Sequence, residues 1–528
     1  MAVRRRSPDR AVHSDRHVST SRSNRETCGQ ITGGVGRHSP NRFLLGAMIA
    51  LACTLFSTVA GAAAKPNIVF ILADDLGWGE LGCYGQKKIR TPNIDKLASQ
   101  GTRFTRAYSG APVCAPSRCV LMTGLQLSRA PIRGNKEAVA GAEGQFPLPA
   151  AFTTWAQVIE QAGYTTCGIG KWGLGMPTNE GSPLKHGFFH FFGYYCQRKA
   201  HSYYPTYLWS DDRKVMLDNG PNGVPGHGKG NDFAKFVGKD YAPDRLVAEA
   251  KLWLDQRAKD GKPFVLYLPF IEPHVALQPP QRIVETYPKD WDPKPYLGEK
   301  GYVPHPRPHA AYAAMITSLD EHVGQVMQWL DEHKMTDNTI VIFTSDNGAT
   351  HDAGGVDTEF FNSVAGLRGR KGSLHEGGMR VPFIVRWPGH TPVGAVSDEI
   401  VAFPDMLPTM CDLLGVTAPK CDGISLRPLF EGKRGKLHPP LTYDFPEYGG
   451  QQAVIDGKWK LIRKELRKAG PAHLLAWELY DLAADRNEIT DLAAQHPDEV
   501  KRLEAIFKAH WTPNTEYPMY PSKKKAKQ

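Results

Sequence analysis

Four short hydrophobic runs along the chain end abruptly in polar residues. They cover residues 68–72 before Asp74 and Asp75, 164–169 before Lys171, 264–268 before His274, and 339–343 before Asp346 and Asn347. β-Branched and aromatic residues dominate these runs, which is typical of strands buried on both faces of a helix-covered parallel sheet. Sites in such sheets collect at the carboxyl ends of the strands. We therefore expect these polar residues to share one edge of the sheet.

Helical patterns separate the hydrophobic runs. Thr91 and Pro92 predict the start of a helix, and Gly101 its end. Hydrophobic residues at helical spacing predict a longer helix over residues 310–334. The alternation of strands and helices predicts an α/β fold with a large mixed, mostly parallel sheet sandwiched by helices.

The pattern changes after about residue 430. Residues 453–455 and 458–462 flank Asp456 and Gly457 and predict a β-hairpin. Residues 478–482 predict another strand, and 497–510 an amphipathic closing helix. We predict a catalytic α/β domain at 65–430 and a small antiparallel C-terminal α+β subdomain at 431–515.

The formal charge of +10 comes from the two ends of the chain. Residues 1–64 hold nine arginines and three acidic residues, and four lysines lie within the basic tail, 516–528. The region between is close to neutral, which excludes a folded basic domain for binding nucleic acid. Residues 1–42 are rich in Arg and Ser and predict a disordered basic extension, or an upstream start of translation that is not used.

Residues 43–64 carry no charge, follow Arg37 and Arg42, and end in Gly-Ala-Ala-Ala. This order is typical of a signal peptide cleaved near Ala64. It predicts export to the periplasm or the medium, with no stable membrane insertion after cleavage. The run is long enough to remain as an uncleaved membrane anchor, and lipid attachment at Cys53 is a third alternative.

Asp74, Asp75, Asp346 and Asn347 occupy equivalent places after two of the predicted strands. Three carboxylates that converge there would repel one another unless a cation neutralised them. A set of oxygen ligands favours calcium or magnesium. The alternative is that each aspartate caps a helix or bonds within a loop.

Residues 114–118 read Cys-Ala-Pro-Ser-Arg, and Thr-Gly follows at 123–124. This stretch resembles the Cys-x-Pro-Ser-Arg signature of the sulfatases, which are formylglycine-dependent, arylsulfatase-like enzymes of the alkaline phosphatase-like superfamily. Five motifs match in order between Pro66 and about residue 510. The resemblance implies a sulfuric ester hydrolase that releases inorganic sulfate from an alcohol, with a sulfated carbohydrate as the expected substrate.

The resemblance also implies the chemistry of Cys114. In the family this cysteine is oxidised to formylglycine, whose aldehyde hydrates to a diol. One hydroxyl attacks sulfur, and the other then loses its proton so that the aldehyde re-forms and sulfate leaves. A formylglycine-generating enzyme that reads the unfolded segment is the implied maturation partner. The helix expected to open at Pro116 would direct positive backbone dipole towards the nucleophile.

By the same motif match, one calcium ion is expected on Asp74, Asp75, Asp346, Asn347 and modified Cys114. Four further side chains take roles by their place in matching motifs, namely Arg118, Lys171, His274 and Lys371. Arg118 would support the diol, both lysines would contact sulfate, and His274 would protonate the departing alcohol. An ordinary ion pair, solvated lysines and a loop histidine are the structural alternatives.

Gly173 departs from the family pattern. Many members read Gly-Lys-Trp-His, whereas this chain reads Gly-Lys-Trp-Gly at 170–173. That histidine helps the diol to collapse, so another group is expected to replace it, and we predict His201. His201 lies in the aromatic stretch 193–205, which would stack on a sugar ring or simply pack as a loop.

Two alternative functions follow from these residues. The first is a phosphate or phosphonate ester hydrolase of the same superfamily, although one calcium-type site speaks against a typical phosphatase. The second is an inactive relative that binds sulfated glycans. Six cysteines besides Cys114 follow the leader, and among them Cys411 and Cys421 form the most local potential disulfide.

Overall fold

The computed structural model describes residues 65–139, 142–435, 437–470 and 475–520. The predicted extension 1–42, the predicted signal peptide 43–64 and residues 521–528 of the predicted tail lie outside them. Among the described residues no helix has the length and apolar character needed to cross a membrane. Their seven cysteines are free thiols, so Cys411 and Cys421 do not form the disulfide considered from the sequence.

Ten strands form the main sheet, in the order β10-β2-β9-β8-β1-β7-β3-β4-β5-β6. They are β1 Asn67–Ala73, β2 Thr102–Tyr108, β3 Thr165–Lys171, β4 His190–Tyr194, β5 Tyr207–Ser210, β6 Arg213–Met216, β7 Phe264–Pro269, β8 Thr339–Ser345, β9 Arg380–Arg386 and β10 Ala395–Ala402. The central strands β8, β1, β7, β3 and β4 are parallel to their neighbours in that run. β9 is antiparallel to both β8 and β2. The mixed, mostly parallel sheet confirms the predicted fold class.

Helices cover both faces of this sheet. The longer ones are α1 Pro92–Ser99, α2 Cys114–Thr123, α3 Trp155–Gln161, α4 Ala242–Asp260, α5 Pro308–Glu332, α6 Met406–Leu413 and α7 Pro497–His510, and single turns lie at Gln281–Val284, Glu376–Met379, Arg427–Phe430 and Leu466–Ala469. Alternate residues of β1 enter two separate cores: Ile68 and Phe70 pack on the side of α2, α3 and α6, and Val69 and Ile71 on the side of α4 and α5. Burial on both faces explains the unbroken hydrophobic run of β1.

The predicted helix starts and ends are close to the observed ones. α1 begins at Pro92 as predicted, but the Thr91 hydroxyl accepts from the Gly82 N–H and donates to Asp95 instead of capping the helix. α2 begins at Cys114, two residues before the predicted start at Pro116. Cys114 is therefore the first residue of its helix.

Four antiparallel strands form the second sheet, β11 Leu441–Phe445, β12 Gln451–Asp456, β13 Trp459–Arg463 and β14 Glu478–Asp481. β12 and β13 form the predicted hairpin. One face of the sheet packs against α7 through Val454, Leu461 and Phe507. Residues of the opposite face, such as Ile455, join the same core as α2 and the main sheet.

Candidate active site

Four adjacent strands bring the predicted polar residues to one edge of the main sheet. Asp74 follows β1, Asp346 follows β8, His274 follows β7, and Lys171 ends β3. Two backbone hydrogen bonds continue the pairing beyond the strand ends, from Asp346 N–H to the Ala73 carbonyl and from Asp74 N–H to the Glu272 carbonyl, both at 3.0 Å. The convergence inferred from the hydrophobic runs is therefore present.

Cys114 lies at the centre of this group, with 1% of its surface exposed. Its Sγ donates to Asp74 Oδ1 at 3.3 Å and lies 3.6 Å from Lys171 Nζ and 3.9 Å from Lys371 Nζ. Burial and the negative charge of Asp74 raise the pKa of the Cys114 thiol well above its usual value. An unmodified Cys114 is therefore a protonated thiol at neutral pH and a poor nucleophile.

Three fully buried carboxylates and one amide surround the nucleophile position. Asn347 Nδ2 donates to Asp75 Oδ1 at 2.8 Å, and the Asp75 N–H donates to Asp346 Oδ1 at 3.1 Å. Among the described residues, the buried Asn347 Oδ1 has no hydrogen-bond partner. A buried amide oxygen left without a donor is costly, and a cation would satisfy it. The oxygen donors of Asp74, Asp75, Asp346 and Asn347 thus fit a hard divalent ion.

A second set of donor atoms lies close to these oxygens. One atom each from Asp74, Asp75, Cys114 and His274 falls within 4.8 Å of the others. His274 Nε2 is already engaged, because it accepts from Lys371 Nζ at 3.1 Å. The oxygen set, which includes the unpartnered Asn347 Oδ1, is therefore the better metal site.

Three buried cations balance the three carboxylates. Arg118 Nε and Nη2 donate to Asp346 Oδ2 at 3.1 and 2.8 Å. Lys171 Nζ donates to Asp74 at 2.5 Å, and Lys371 Nζ donates to Asp75 at 2.8 Å. The group is formally neutral, so a divalent ion would give it a net positive charge that suits an anionic ester.

These contacts keep the Asp74 carboxylate and the Lys371 ammonium in their charged forms. Burial raises the pKa of Asp74, but the charges of Lys171 and Arg118 lower it by a larger amount, so that it stays well below its usual value. Burial lowers the pKa of Lys371, but Asp75 raises it more, and the ammonium is retained. The site can therefore present fixed positive charge to a sulfate group.

His274 is a neutral imidazole beside an ammonium. Its Nδ1 donates to the Val275 carbonyl, and its Nε2 accepts from Lys371. Burial and the charge of Lys371 lower the pKa of His274 to about 4. The hydrogen bond places a positively charged donor and an imidazole nitrogen at the same point of the cleft.

The structure places His201 in the same cleft as Cys114. Its ring stacks on His274, with centroids 4.8 Å apart and planes 16° apart, and its Nδ1 lies 3.3 Å from His227 Nε2. Burial and the charges of Lys171 and Lys371 lower the pKa of His201. His201 thus adjoins the predicted proton donor, and its role in sulfate release stays a prediction.

The cleft of ≈ 660 Å³ that opens above Cys114 is lined partly by residues that the sequence did not single out. They are Asn135, Gln197, Tyr302, His351 and Tyr448. All lie outside the strands and the longer helices, where no periodic pattern marks them, and only Gln197 falls within the noted stretch 193–205. A second cavity of ≈ 190 Å³, with Tyr207 and Trp209 in its wall, shares Arg198 and His201 with the cleft.

The C-terminal sheet holds the loop that carries Lys371. Gln451, at the start of β12, donates from Nε2 to the Gly372 carbonyl at 2.6 Å and accepts from the Leu374 N–H at 2.9 Å. Tyr448 lies against Gly372, where a Cβ would fall 2.4 Å from its ring. The second sheet is therefore part of the site's framework.

Comparisons with known proteins agree with this geometry. A family model described as Sulfatase matches residues 66–416, and one described as N-sulphoglucosamine sulphohydrolase, C-terminal, matches residues 370–510. N-acetylgalactosamine-6-O-sulfatase of Bacteroides thetaiotaomicron is 29% identical over 84% of this chain and 93% of its own length. Human steryl-sulfatase is 30% identical over 72% of each chain.

Solved structures show the same architecture. A crystal structure of Ps i-CgsB has a TM-score of 0.71 and 26% identity and covers 86% of this chain and 95% of that one. A second, in complex with k-i-k-neocarrahexaose, also has a TM-score of 0.71. Phosphonate monoester hydrolase of Agrobacterium radiobacter, with 21% identity, a TM-score of 0.60 and coverage of 86% and 97%, shares the fold. The family model and the relatives together show that the chain belongs to the sulfatase family and is a sulfuric ester hydrolase.

Proposed function

We propose that this enzyme hydrolyses sulfate esters of a carbohydrate, with a formylglycine hydrate made from Cys114 and one calcium ion. The observation that carries the proposal is the surroundings of Cys114 Sγ. It lies 3.3 Å from Asp74 and within 3.9 Å of both Lys171 Nζ and Lys371 Nζ, beside buried oxygen donors. A nucleophile, a metal site and two anion-binding groups are thus within reach of one sulfate group.

The raised pKa of the Cys114 thiol supports the modification. A buried, protonated thiol gives little nucleophilic catalysis, whereas an aldehyde hydrate offers hydroxyl groups at the same position. Calcium on Asp74, Asp75, Asp346 and Asn347 would add positive charge beside residue 114 and the sulfate oxygens. The unpartnered Asn347 Oδ1 supports that ligand set.

The chain's own cations take distinct roles. Lys171 and Lys371 bind the sulfate oxygens and stabilise the charge that spreads onto them in the transition state. Arg118 holds Asp346 through two hydrogen bonds, and its Nη1 donates to the Lys171 carbonyl at 2.5 Å. Arg118 therefore holds Asp346, a proposed metal ligand, next to the end of β3.

His274 is the proposed proton donor to the departing alcohol. Its Nε2 faces Lys371 at 3.1 Å, inside the cleft that would hold the ester. A bound sulfate brings negative charge next to this imidazole and raises its pKa, which favours the protonated form needed for donation. His201, stacked on His274, remains our proposed group for sulfate release, and His201→Ala should change both turnover and its pH profile.

A carbohydrate is the proposed substrate class for three reasons. One relative is named for N-acetylgalactosamine 6-O-sulfate chemistry, and a structural neighbour was solved with a neocarrahexaose. In addition, the cleft adjoins a cavity walled by Tyr207 and Trp209, and aromatic rings of this kind can stack on sugars.

We also propose that residues 43–64 direct export of the enzyme. N-terminal sequencing of the mature protein from the periplasm or the medium would test this proposal.

The first experiment is to purify the protein from a host that contains a formylglycine-generating enzyme. We expect the peptide with residue 114 to be about 18 Da lighter than its thiol form, a change distinct from other cysteine oxidations. Rates on an aryl sulfate and the matching aryl phosphate should favour the sulfate, and Cys114→Ala should abolish both. A preference for the phosphate, or full activity of an unconverted thiol, would contradict the proposal.

The substrate itself requires a panel of sulfated mono- and oligosaccharides. We expect at least one sugar sulfate to be cleaved with a higher kcat/KM than the aryl sulfate, because the cleft offers contacts beyond the sulfate group. No turnover of any sugar sulfate, despite turnover of the aryl ester, would rule out the carbohydrate assignment.

A further inference from the structure

Gly173 lies against the side chain of Gln197, which fills the space that a side chain at 173 would need. Its φ is 75°, and a Cβ added there would lie 3.1 Å from Cγ and Nε2 of Gln197. Contacts this short are tighter than ordinary van der Waals packing, so a side chain at 173 would displace Gln197. Gln197 is 6% exposed and lines the cleft together with Cys114.

The Gln197 amide connects this space to the helix that begins at Cys114. Gln197 Nε2 donates to Asn135 Oδ1 at 3.2 Å, and the same oxygen accepts from the Ala115 N–H at 3.0 Å. The first N–H groups of a helix lack acceptors within the helix. The N-cap residue, Val113, has a hydrocarbon side chain that cannot accept. Asn135 therefore caps α2 from another loop.

The backbones of Gln197 and Asn135 are each held by a further hydrogen bond. The Gln197 N–H donates to Gln145 Oε1 at 3.1 Å, and the Asn135 N–H donates to Glu447 Oε1 at 2.9 Å. Because both backbones are fixed, their amides can hold the first turn of α2 in place. That turn carries residue 114.

We propose that Gln197 is a positioning residue for the nucleophile, acting through Asn135 on the first turn of α2. It lies against Gly173, the position at which many family members have a side chain. An amide takes up no proton at neutral pH, so its contribution is orientation and not base catalysis. The inference rests on the proposed function, since the nucleophile at residue 114 is what becomes oriented.

The test compares Gln197→Met with Gln86→Met. Methionine keeps the length of the side chain but removes the donor, and Gln86 is a buried glutamine whose amide bonds the Gly79 and Phe361 carbonyls instead. We expect Gln197→Met to lower kcat about 10-fold while KM changes less than about twofold. Deuterium exchange of the peptide covering residues 113–118 should also become faster. Gln86→Met should leave both quantities unchanged.

Asn135→Ala and the double variant complete the test. Since Gln197 acts through Asn135, Asn135→Ala should lower kcat at least as much, and adding Gln197→Met should lower it little further. Unchanged kcat and exchange in Gln197→Met, or independent losses that multiply in the double variant, would overturn the inference. If the fully converted parent enzyme releases no sulfate, the proposed function fails instead, whereas the exchange measurement still tests the inference.

Discussion

At the scale of single residues, His274 is a buried histidine that lines the cleft together with Cys114 and Lys371. Its Nε2 faces the Lys371 ammonium at 3.1 Å, and its Nδ1 is held by the Val275 carbonyl. This arrangement fixes the ring, so that proton transfer at Nε2 requires the ester to take the place of Lys371 as its partner. The demand for that proton depends on how basic the departing alkoxide is.

We therefore predict that His274→Ala affects esters of weakly acidic alcohols most. For a sugar or alkyl sulfate, kcat/KM should fall about 100-fold or more, the usual range for the loss of a general acid. For an aryl sulfate with an acidic phenol the fall should be much smaller. Steady-state rates on a series of esters measure this difference, and equal losses across the series would contradict the proton-donor role.

Among the described residues, Asn347 Oδ1 is the oxygen of the proposed ligand set that has no hydrogen-bond partner. We predict that Asn347→Ala weakens calcium binding about 10-fold or more, and that the lost hydrogen bond to Asp75 lowers the calcium-free melting temperature separately. Calorimetric titration of chelator-treated protein measures the affinity. Asn338→Ala, in a turn where Nδ2 donates to the Lys65 carbonyl, is the control. Equal affinity in Asn347→Ala and parent would remove Asn347 from the ligand set.

At the scale of elements, β13 contributes a fully buried lysine to the contact between the two sheets. Lys460 Nζ lies 2.9 Å from Glu376 and 3.0 Å from Glu488, and all three side chains are inaccessible to solvent. The Glu376 carboxylate also accepts from Tyr108 on β2 at 3.0 Å. The group therefore ties β13 to the turn that follows the Lys371 loop.

We predict that Lys460→Met lowers the free energy of unfolding by about 3–5 kcal/mol, because two buried carboxylates lose their cation. Lys458→Met is a matched control on the adjoining turn, where the Lys458 side chain is 52% exposed and pairs with Asp481. Its loss should cost less than about 1 kcal/mol. Chemical denaturation measures both, and equal effects would mean that the buried group contributes no more than a surface pair.

Sequence patterns predicted the elements whose signal is local. β1, β3, β7 and β8 carried unbroken hydrophobic runs, and the hairpin of β12 and β13 carried an Asp-Gly turn. β9, which includes Pro382 and lies antiparallel between β2 and β8, was not predicted, since its place depends on partners far along the chain.

The residues of the site also divide into those with a local sequence signal and those without one. Residues next to a strand end or within a dense motif, such as Asp74 and Arg118, were singled out from the sequence, and the structure brings them together. Asn135 and Gln197 were not, because their function depends on contacts with Ala115 and Gly173 that only the folded chain creates. Long-range hydrogen bonds of loop residues leave no periodic signal.

At the scale of the whole molecule, a buried histidine between two acidic residues makes stability depend on pH. His322 on α5 lies 2.9 Å from both Glu272 and Asp244. Burial alone would lower the pKa of His322, but Glu272 and Asp244 raise it to about 9 from 6.5. The folded state therefore binds the proton more tightly than the unfolded state, and the contribution to stability is complete below pH 6.5 and lost as pH rises to about 9.

We predict that the melting temperature falls as pH rises from 6.5 to 9, and that His322→Gln flattens this dependence. At 1.36 kcal/mol per pKa unit the effect is about 3 kcal/mol at most. Thermal unfolding at a series of pH values, with the exposed His496→Gln as control, measures it. A slope that His322→Gln leaves unaltered would contradict the assignment.

The strand order β8-β1-β7-β3 determines when the active site forms during folding. Asp75 and Asp346 are 271 residues apart along the chain, and they meet only because β1 and β8 pair directly. Neither half of the polypeptide can bring the proposed metal ligands together alone, so we expect metal affinity to appear at the same moment as the central sheet closes. If folding is monitored both by calcium uptake and by sheet formation, the two signals should therefore have the same rate. The slow search for this distant pairing sets that rate.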